Sequence, residues 1–350
     1  MGTRGRGRPA ALDLLVPGLP GRAGWGPAMA AVRAPVLERL LSRCRRGVLP
    51  AVGYEQTLCA LAGVLPPTVE LPVARIVDGG RLGGAGGLWC AEPVSLRPDI
   101  WALYLFPLDA SQLGPDDTRE LVALFNGHFA ARGWHLRVND RGAWILEDRE
   151  PRAAVTTPVG EVAGRDVRPC LARGPGAARL RALMNEAQML FHDCAVNRRR
   201  ERRGLLPVDG LWVYGGGGLS AAPAPPWDGI WADEPLARGI ARLARLGSQD
   251  LPAAFGGPVR GRILACLMDL RGPVAVDDPG AWAAAVVRME QDWFAPIAAA
   301  LHSGILAHCR LYDCAGQVCY LRKADRWRIW RPVVPLHARL GVPKHHKAHP

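Results

Sequence analysis

The chain has 350 residues, 49% of them apolar and 22% charged, a composition that excludes disorder outside the ends and leaves room for one large domain or two small ones. The formal charge of +12 and the pI near 9.8 permit a nucleic acid, an anionic membrane surface or a small anion as partner. Arginine supplies nearly all of the positive charge, as a GC-rich coding sequence also would. No apolar run reaches the roughly 18 residues a membrane span needs. The early run LDLLVPGL is too short and too broken by proline for a signal peptide.

In chain order, residues 1–10 read as disordered. Residues 12–16 form a short apolar run closed by Pro17 and Gly18, a buried strand followed by a turn. Pro35 opens a helix, PVLERLLSRCRRG, with Val36, Leu37, Leu40 and Leu41 on one face and Gly47 as terminator. A second short helix covers 54–62, and the glycine-rich 78–87 is a loop. Residues 88–92 and 101–106 read as strands. Pro115 precedes a helix over 116–131, where Leu121, Leu124, Phe125, His128 and Phe129 share a face.

Residues 134–138 and 143–147 flank Asn-Asp-Arg-Gly and form a hairpin. A helix over 177–191 turns Leu180, Leu183, Met184, Ala187, Leu190 and Phe191 to the core. After a Pro/Ala loop at 221–226 come a helix (236–246), a strand (263–267), a long helix (282–301) and two strands (306–312 and 317–321). Strands alternating with helices indicate an α/β fold with a largely parallel sheet flanked by helices. The expected organisation is a disordered 1–10, one domain over 11–335 with a β-containing insertion near 85–160, and a flexible His-rich tail over 336–350.

The nine cysteines form no CxxC pair, and Cys309, Cys314 and Cys319 recur every five residues, which fits neither a zinc site nor one face of a strand. They read as reduced, buried thiols of a cytoplasmic protein. The many tryptophans read as packing residues. His337, His345, His346 and His349 belong to the tail.

The stretch 183–218 stands apart. One side of its helix carries Asn185, Gln188 and His192; then come Asn197, Arg198, Arg199, Arg200, Arg202 and Arg203; then an apolar strand ending in Gly215, Gly216, Gly217 and Gly218. Arginines offer paired donors to phosphate or carboxylate, and glycines let a backbone approach a ligand closely. No Lys-Ser/Thr follows, so the run is not a P-loop. His192 suits either general acid–base work near neutral pH or the capping of its helix. The candidate ligand-binding set is Asn185, Gln188, His192, Asn197, Arg198, Arg202, Gly215, Gly216 and Gly217. His192 is the candidate catalytic group, and the ligand an anionic or phosphorylated small molecule. No specific nucleic acid, membrane or cofactor is expected.

The pattern LMNEAQMLFHD, VNRRRERRG, LWVYGGG resembles the RpfE-type regulatory proteins of bacteria. More distantly it resembles the archaeal-type, cofactor-independent phosphoglycerate mutases of the alkaline-phosphatase superfamily, which carry His-Pro-Val-Asn-x-x-Arg and then Asn-x-x-Trp-x-x-Gly-x-Gly. Here Asp193, Cys194 and Ala195 depart from the first motif, and Asp209 stands where the second has Asn. LDLLVPGLP, APVLERLLSRCRRG, PLARGIARLARLG, ILACLMDLRGP and RLYDCAGQ resemble further segments of that superfamily in the same order. The resemblance implies an alkaline-phosphatase-like fold, two divalent metals on Asp and His at strand ends, and a nucleophilic Ser. The chain departs from it at the metals. Pro17 replaces the first-strand Asp, no Gly-His follows Asp269, and Cys314 stands where His would follow Asp313. The expectation is a degenerate, regulatory protein without bound metal. An active metal-dependent phosphomutase or phosphohydrolase is the alternative, and a nucleic-acid-binding regulator a weaker one.

Overall fold

The computed structural model describes residues 10–339, apart from 23, 27–28, 31, 65–69, 81–86, 109–111 and 257–258. Within these the chain divides into two compact units, one of 1–58, 226–233 and 246–350, the other of 59–225 and 234–245.

The first unit opens with β1 (Ala11–Leu15), α1 (Pro35–Arg43), β2 (Arg45–Val52) and α2 (Tyr54–Leu61), the last crossing into the second unit. The second unit continues with α3 (Val73–Asp78), β3 (Leu88–Pro98), β4 (Leu103–Pro107), α4 (Pro115–Phe129), β5 (Trp134–Val138), β6 (Trp144–Asp148), α5 (Val159–Val162), α6 (Ala177–His192), α7 (Ala195–Arg202) and β7 (Gly210–Tyr214). The chain then returns through β8 (Gly229–Trp231), gives α8 (Pro235–Leu243) to the second unit, and completes the first with β9 (Gly247–Gln249), β10 (Arg262–Cys266), α9 (Arg271–Ala275), α10 (Pro279–Met289), α11 (Ala295–Ser303), β11 (His308–Tyr312) and β12 (Ala315–Arg322).

The sheet of the first unit has seven strands in the order β2-β12-β11-β1-β10-β8-β9. The five from β11 to β9 are parallel, and β12 and β2 add antiparallel to one edge. The chain is thus an α/β protein with a largely parallel sheet. All five residues of β1 are buried, as befits a central strand covered on both faces. Leu12, Leu14 and Val16 pack with Leu37 of α1, Trp282 and Val286 of α10 and Ile297 of α11.

The long helix read over 282–301 spans α10 and α11 and is interrupted by a wide π-type turn at Glu290–Phe294. That turn aims the buried Glu290 carboxylate at the start of α1, where it accepts from Val36 N (2.6 Å) and Leu37 N (2.9 Å). Helix α1 has no side-chain cap of its own, so Glu290 satisfies amides that would otherwise lack partners.

The second unit holds an antiparallel sheet in the order β4-β3-β6-β5, with β7 also paired to β3. Helix α4 packs on β5, and α6 on β7. The sequence reading confined the inserted β region to about 85–160. The unit is wider because β7 joins β3 and brings α6 with it. Three other expectations change. The α1 segment stops at Arg43, and Arg45–Val52 is a strand, not the end of a helix. The strand read over 101–106 is Leu103–Pro107, and Ile100 and Trp101 are exposed. The tail does not begin at 336: Leu336 is buried, and its amide donates to Glu38 Oε1 at 2.8 Å. Residues 1–9 and 340–350, read as disordered and flexible, lie outside the described residues. No helix among the described residues is long and apolar enough to cross a membrane.

Candidate functional site

The conspicuous segment α6–α7–β7 lies in the second unit. Its strand β7 runs antiparallel to β3, so the glycine run is not at the carboxyl edge of a parallel sheet. Gly215, Gly216 and Gly217 are buried, and other protein groups fill the space beside them. A Cβ on Gly216 would lie 2.3 Å from the Trp89 ring, and one on Gly217 would lie 2.2 Å from the Glu70 carbonyl oxygen. The Gly215 and Gly216 amides donate to Glu70 Oε1 at 2.9 and 3.2 Å. Thr156 also donates to this carboxylate, through both its amide and its hydroxyl. Burial nevertheless pushes the Glu70 carboxyl above its usual range, outweighing the Thr156 and glycine donors that favour the charged form. The glycines therefore admit a neighbouring carboxylate and an indole instead of a ligand.

Asn197 is buried and holds the turn into β7. Its amide nitrogen donates to Phe191 O (2.8 Å) and Val208 O (3.0 Å), and its oxygen accepts from Val208 N (2.8 Å). Arg200, 2% exposed, donates to Leu206 O and Gln112 O and lies 3.3 Å from Asp117. Arg199 bridges Asp117 and Glu120 of α4. Asn185, Gln188, His192, Arg198 and Arg202 are exposed. Arg198 donates to Asp193 O at 2.6 Å and Arg202 to Arg198 O at 3.2 Å. The nine residues read as one ligand-binding set thus divide into a buried group that builds the turn and an exposed group on α6 and α7. They do not line one pocket, because the buried members are sealed by their own partners.

Ligands of open α/β folds bind beyond the carboxyl ends of the parallel strands. In the first unit those ends carry Pro17 after β1, Asp269 after β10, and Asp313 and Cys314 after β11. The Pro17 side chain has no donor atom to offer a metal. Asp313 Oδ1 accepts from Ala315 N (2.8 Å) and Gln317 N (2.9 Å), shaping the tight β11–β12 turn. Cys314 sits in that turn at φ 55°. Burial pushes its thiol up to about 12, so it is neutral at physiological pH. Asp269 is exposed. Nearby Glu55, buried at the start of α2, accepts from Arg271 Nη2 at 2.7 Å.

The one acid within β1, Asp13, is fully buried. Its Oδ2 accepts from Trp227 Nε1 (2.8 Å) and from Arg262 Nε and Nη2 (3.0 and 2.5 Å). Among the described residues, no three His, Cys, Asp or Glu side chains gather closely enough to hold a metal ion. The two-metal centre implied by the resemblance does not fit the donors present.

An α/β protein whose carboxyl edge carries a proline, an exposed aspartate, a turn-forming aspartate and a neutral thiol is the class the geometry defines. No family model matches the chain. Over 206 residues it is 23% identical to the probable 2,3-bisphosphoglycerate-independent phosphoglycerate mutase of Geobacter sulfurreducens, a match covering 54% of this chain and 50% of that protein. Over 72 residues it is 36% identical to the 2,3-bisphosphoglycerate-independent phosphoglycerate mutase of Methanothrix thermoacetophila, covering 21% of this chain and 18% of the other. The chain therefore spans half the length, or less, of the curated relatives it matches. Among solved structures, a cofactor-independent phosphoglycerate mutase from Thermoplasma acidophilum matches at 17% identity and a TM-score of 0.38, covering 90% of each chain. A protein from Pyrococcus horikoshii matches at 11% identity and a TM-score of 0.41, covering 91% and 90%. The chain is distantly similar to cofactor-independent phosphoglycerate mutases.

Proposed function

We propose that this chain is a degenerate phosphoglycerate-mutase-like protein on an alkaline-phosphatase-like core, regulatory in the manner of the RpfE-type proteins. It binds an anionic, phosphorylated small molecule in the cytoplasm without turning it over. The observation that carries this reading is the chemistry of the carboxyl edge. Asp313 is committed to backbone amides, Cys314 is held neutral, and the Pro17 side chain offers no lone pair; within β1 itself, Asp13 is sealed against Arg262. A site that activates an alkoxide and stabilises a transferring phosphoryl group needs clustered cationic charge from metals at that edge.

The test combines elemental analysis of the purified protein with a phosphoglycerate mutase assay and a thermal-shift screen of phosphorylated metabolites. The expected result is no stoichiometric Mn, Mg or Zn, no turnover, and a raised melting temperature with at least one phosphorylated compound, since a ligand that binds only the native state stabilises it by mass action. Two bound metals per chain together with turnover would replace this reading with that of an active phosphomutase or phosphohydrolase.

A further inference from the structure

At the opposite, amino edge of the same sheet, arginines converge from separate parts of the first unit. Arg45 and Arg46 open β2, Arg310 lies on β11, Arg322 ends β12, and Arg328 follows it. Strand register assembles them. Tyr320 of β12 pairs with Arg45 on one side and with Arg310 on the other, and Arg322 pairs with His308. Gly47 makes room for the Tyr320 ring, since a Cβ there would lie 2.7 Å from Cε2. The Arg310 guanidinium lies 5.9 Å from the centre of the same ring.

These side chains line a cavity of about 460 Å³ holding five arginines and one acid, Asp325. That acid is committed: it accepts from Arg322 N at 2.8 Å and pairs with Arg328 at 3.2 Å. Arg45, Arg46 and Arg328 also line a second cavity, of about 750 Å³, whose other walls include Arg331, Arg339 and Ser42. The two cavities therefore adjoin along a shared arginine wall, as the two lobes of one arginine-lined surface. Among the described residues, no carboxylate pairs with Arg45, Arg46 or Arg322. Burial, and then the neighbouring Arg46, holds the Arg339 guanidinium below its usual range. Like charges set this close repel one another and favour an anion between them.

We propose that this trough is the seat of the phosphorylated ligand and that it selects a compact polyphosphate, an anion with two or more linked phosphate groups such as pyrophosphate or a nucleoside diphosphate. The proposal rests on the reading above that the chain binds a phosphorylated small molecule, and it names the place and the class. Each lobe has its own guanidinium groups, Arg310 and Arg322 in one, Arg331 and Arg339 in the other. Arg310 also lies 3.8 Å from Asp13; Arg331 donates to Cys44 O and Arg339 to Ser42 Oγ, and each keeps other donors for a ligand. A lone phosphate meets one lobe; linked phosphates engage both and share Arg45, Arg46 and Arg328. Guanidinium groups suit this task because their planar donors match phosphate oxygens two at a time.

The test is calorimetric titration of inorganic pyrophosphate, orthophosphate and a single-stranded oligonucleotide into the full chain at physiological salt. The variants are Arg45→Ala, Arg322→Ala, Arg198→Ala and, as a surface control, Arg119→Ala. Circular dichroism melts of the unliganded proteins check folding. The proposal expects pyrophosphate to bind more tightly than orthophosphate. It expects affinity to fall by about tenfold or more in Arg45→Ala and in Arg322→Ala, the loss of a charge-assisted hydrogen bond, and to stay unchanged in Arg119→Ala. If pyrophosphate binds but only Arg198→Ala weakens it, the trough is overturned while the phosphate-binding reading stands. If none of the phosphate-bearing probes binds, both fall. Equal affinity for orthophosphate overturns the two-lobed selection. Tight oligonucleotide binding without pyrophosphate binding makes the trough a nucleic-acid surface and overturns the proposal as well.

Discussion

Two arginine-rich regions of this chain look alike in composition and differ in what their charges do. In α7 the arginines are sequence neighbours on a helix facing the acidic start of α4. Arg199 and Arg200 reach Asp117 and Glu120, and Arg198 and Arg202 donate to carbonyls of their own segment. At the amino edge of the parallel sheet the arginines are far apart in sequence. Antiparallel pairing sets Arg45 and Arg310 on either side of Tyr320, and among the described residues no carboxylate reaches Arg45, Arg46 or Arg322. A run of charges on a helix finds local partners at its own and facing turns. Charges brought together by strand register depend on what the neighbouring strands supply. Cationic density in sequence is therefore a poor guide to where an anion can sit.

That contrast can be broken from the α7 side first. Arg200→Ala removes a buried guanidinium, leaving Leu206 O and Gln112 O without their donor and Asp117 paired with Arg199, so unfolding by denaturant should show a loss of roughly 3–5 kcal/mol. A loss under about 1 kcal/mol would mean Arg200 is not the structural residue its contacts imply. Next in size is the glycine turn. Glu70→Gln replaces an oxygen acceptor by a donor facing other donors, and should cost about 1–3 kcal/mol.

Glu70 also sets a pH dependence. Its folded-state pKa is raised, so between the ordinary carboxyl range and that raised value the native state keeps a proton the unfolded chain has released. Stability should fall as pH rises through this window, and Glu70→Gln should flatten the slope. The smallest effect separates the two arginine regions directly. Arg198→Ala and Arg322→Ala should each change stability by no more than about 0.5 kcal/mol, while only the second weakens pyrophosphate binding.

Much of the fold was legible. Apolar spacing located β1, the β5–β6 hairpin and α6, because each buries a face of regular period. Strand β2 was not legible: it is a largely exposed edge strand with Gly47 and Pro50 inside it, and its residues alternate in burial but not in polarity. The breadth of the second unit was hidden because β7 pairs with β3, a partner more than 100 residues away in sequence. At the site, the glycines and Asn197 were read as contacts to a ligand, but a sequence does not say what approaches. Here it is Trp89, Glu70 and the turn's own backbone. The trough left no local signal, since its arginines come from β2, β11, β12 and the segment after it.

On the proposed reading, anion binding by this chain needs no metal and involves no turnover. The most direct measurement is titration of pyrophosphate into wild-type protein after dialysis against EDTA, repeated with Mn and Mg restored, with released orthophosphate assayed in the same cell. The account predicts stoichiometric binding of equal affinity in both conditions and no orthophosphate. Binding that appears only with metal, or pyrophosphate consumed as it is added, would contradict it.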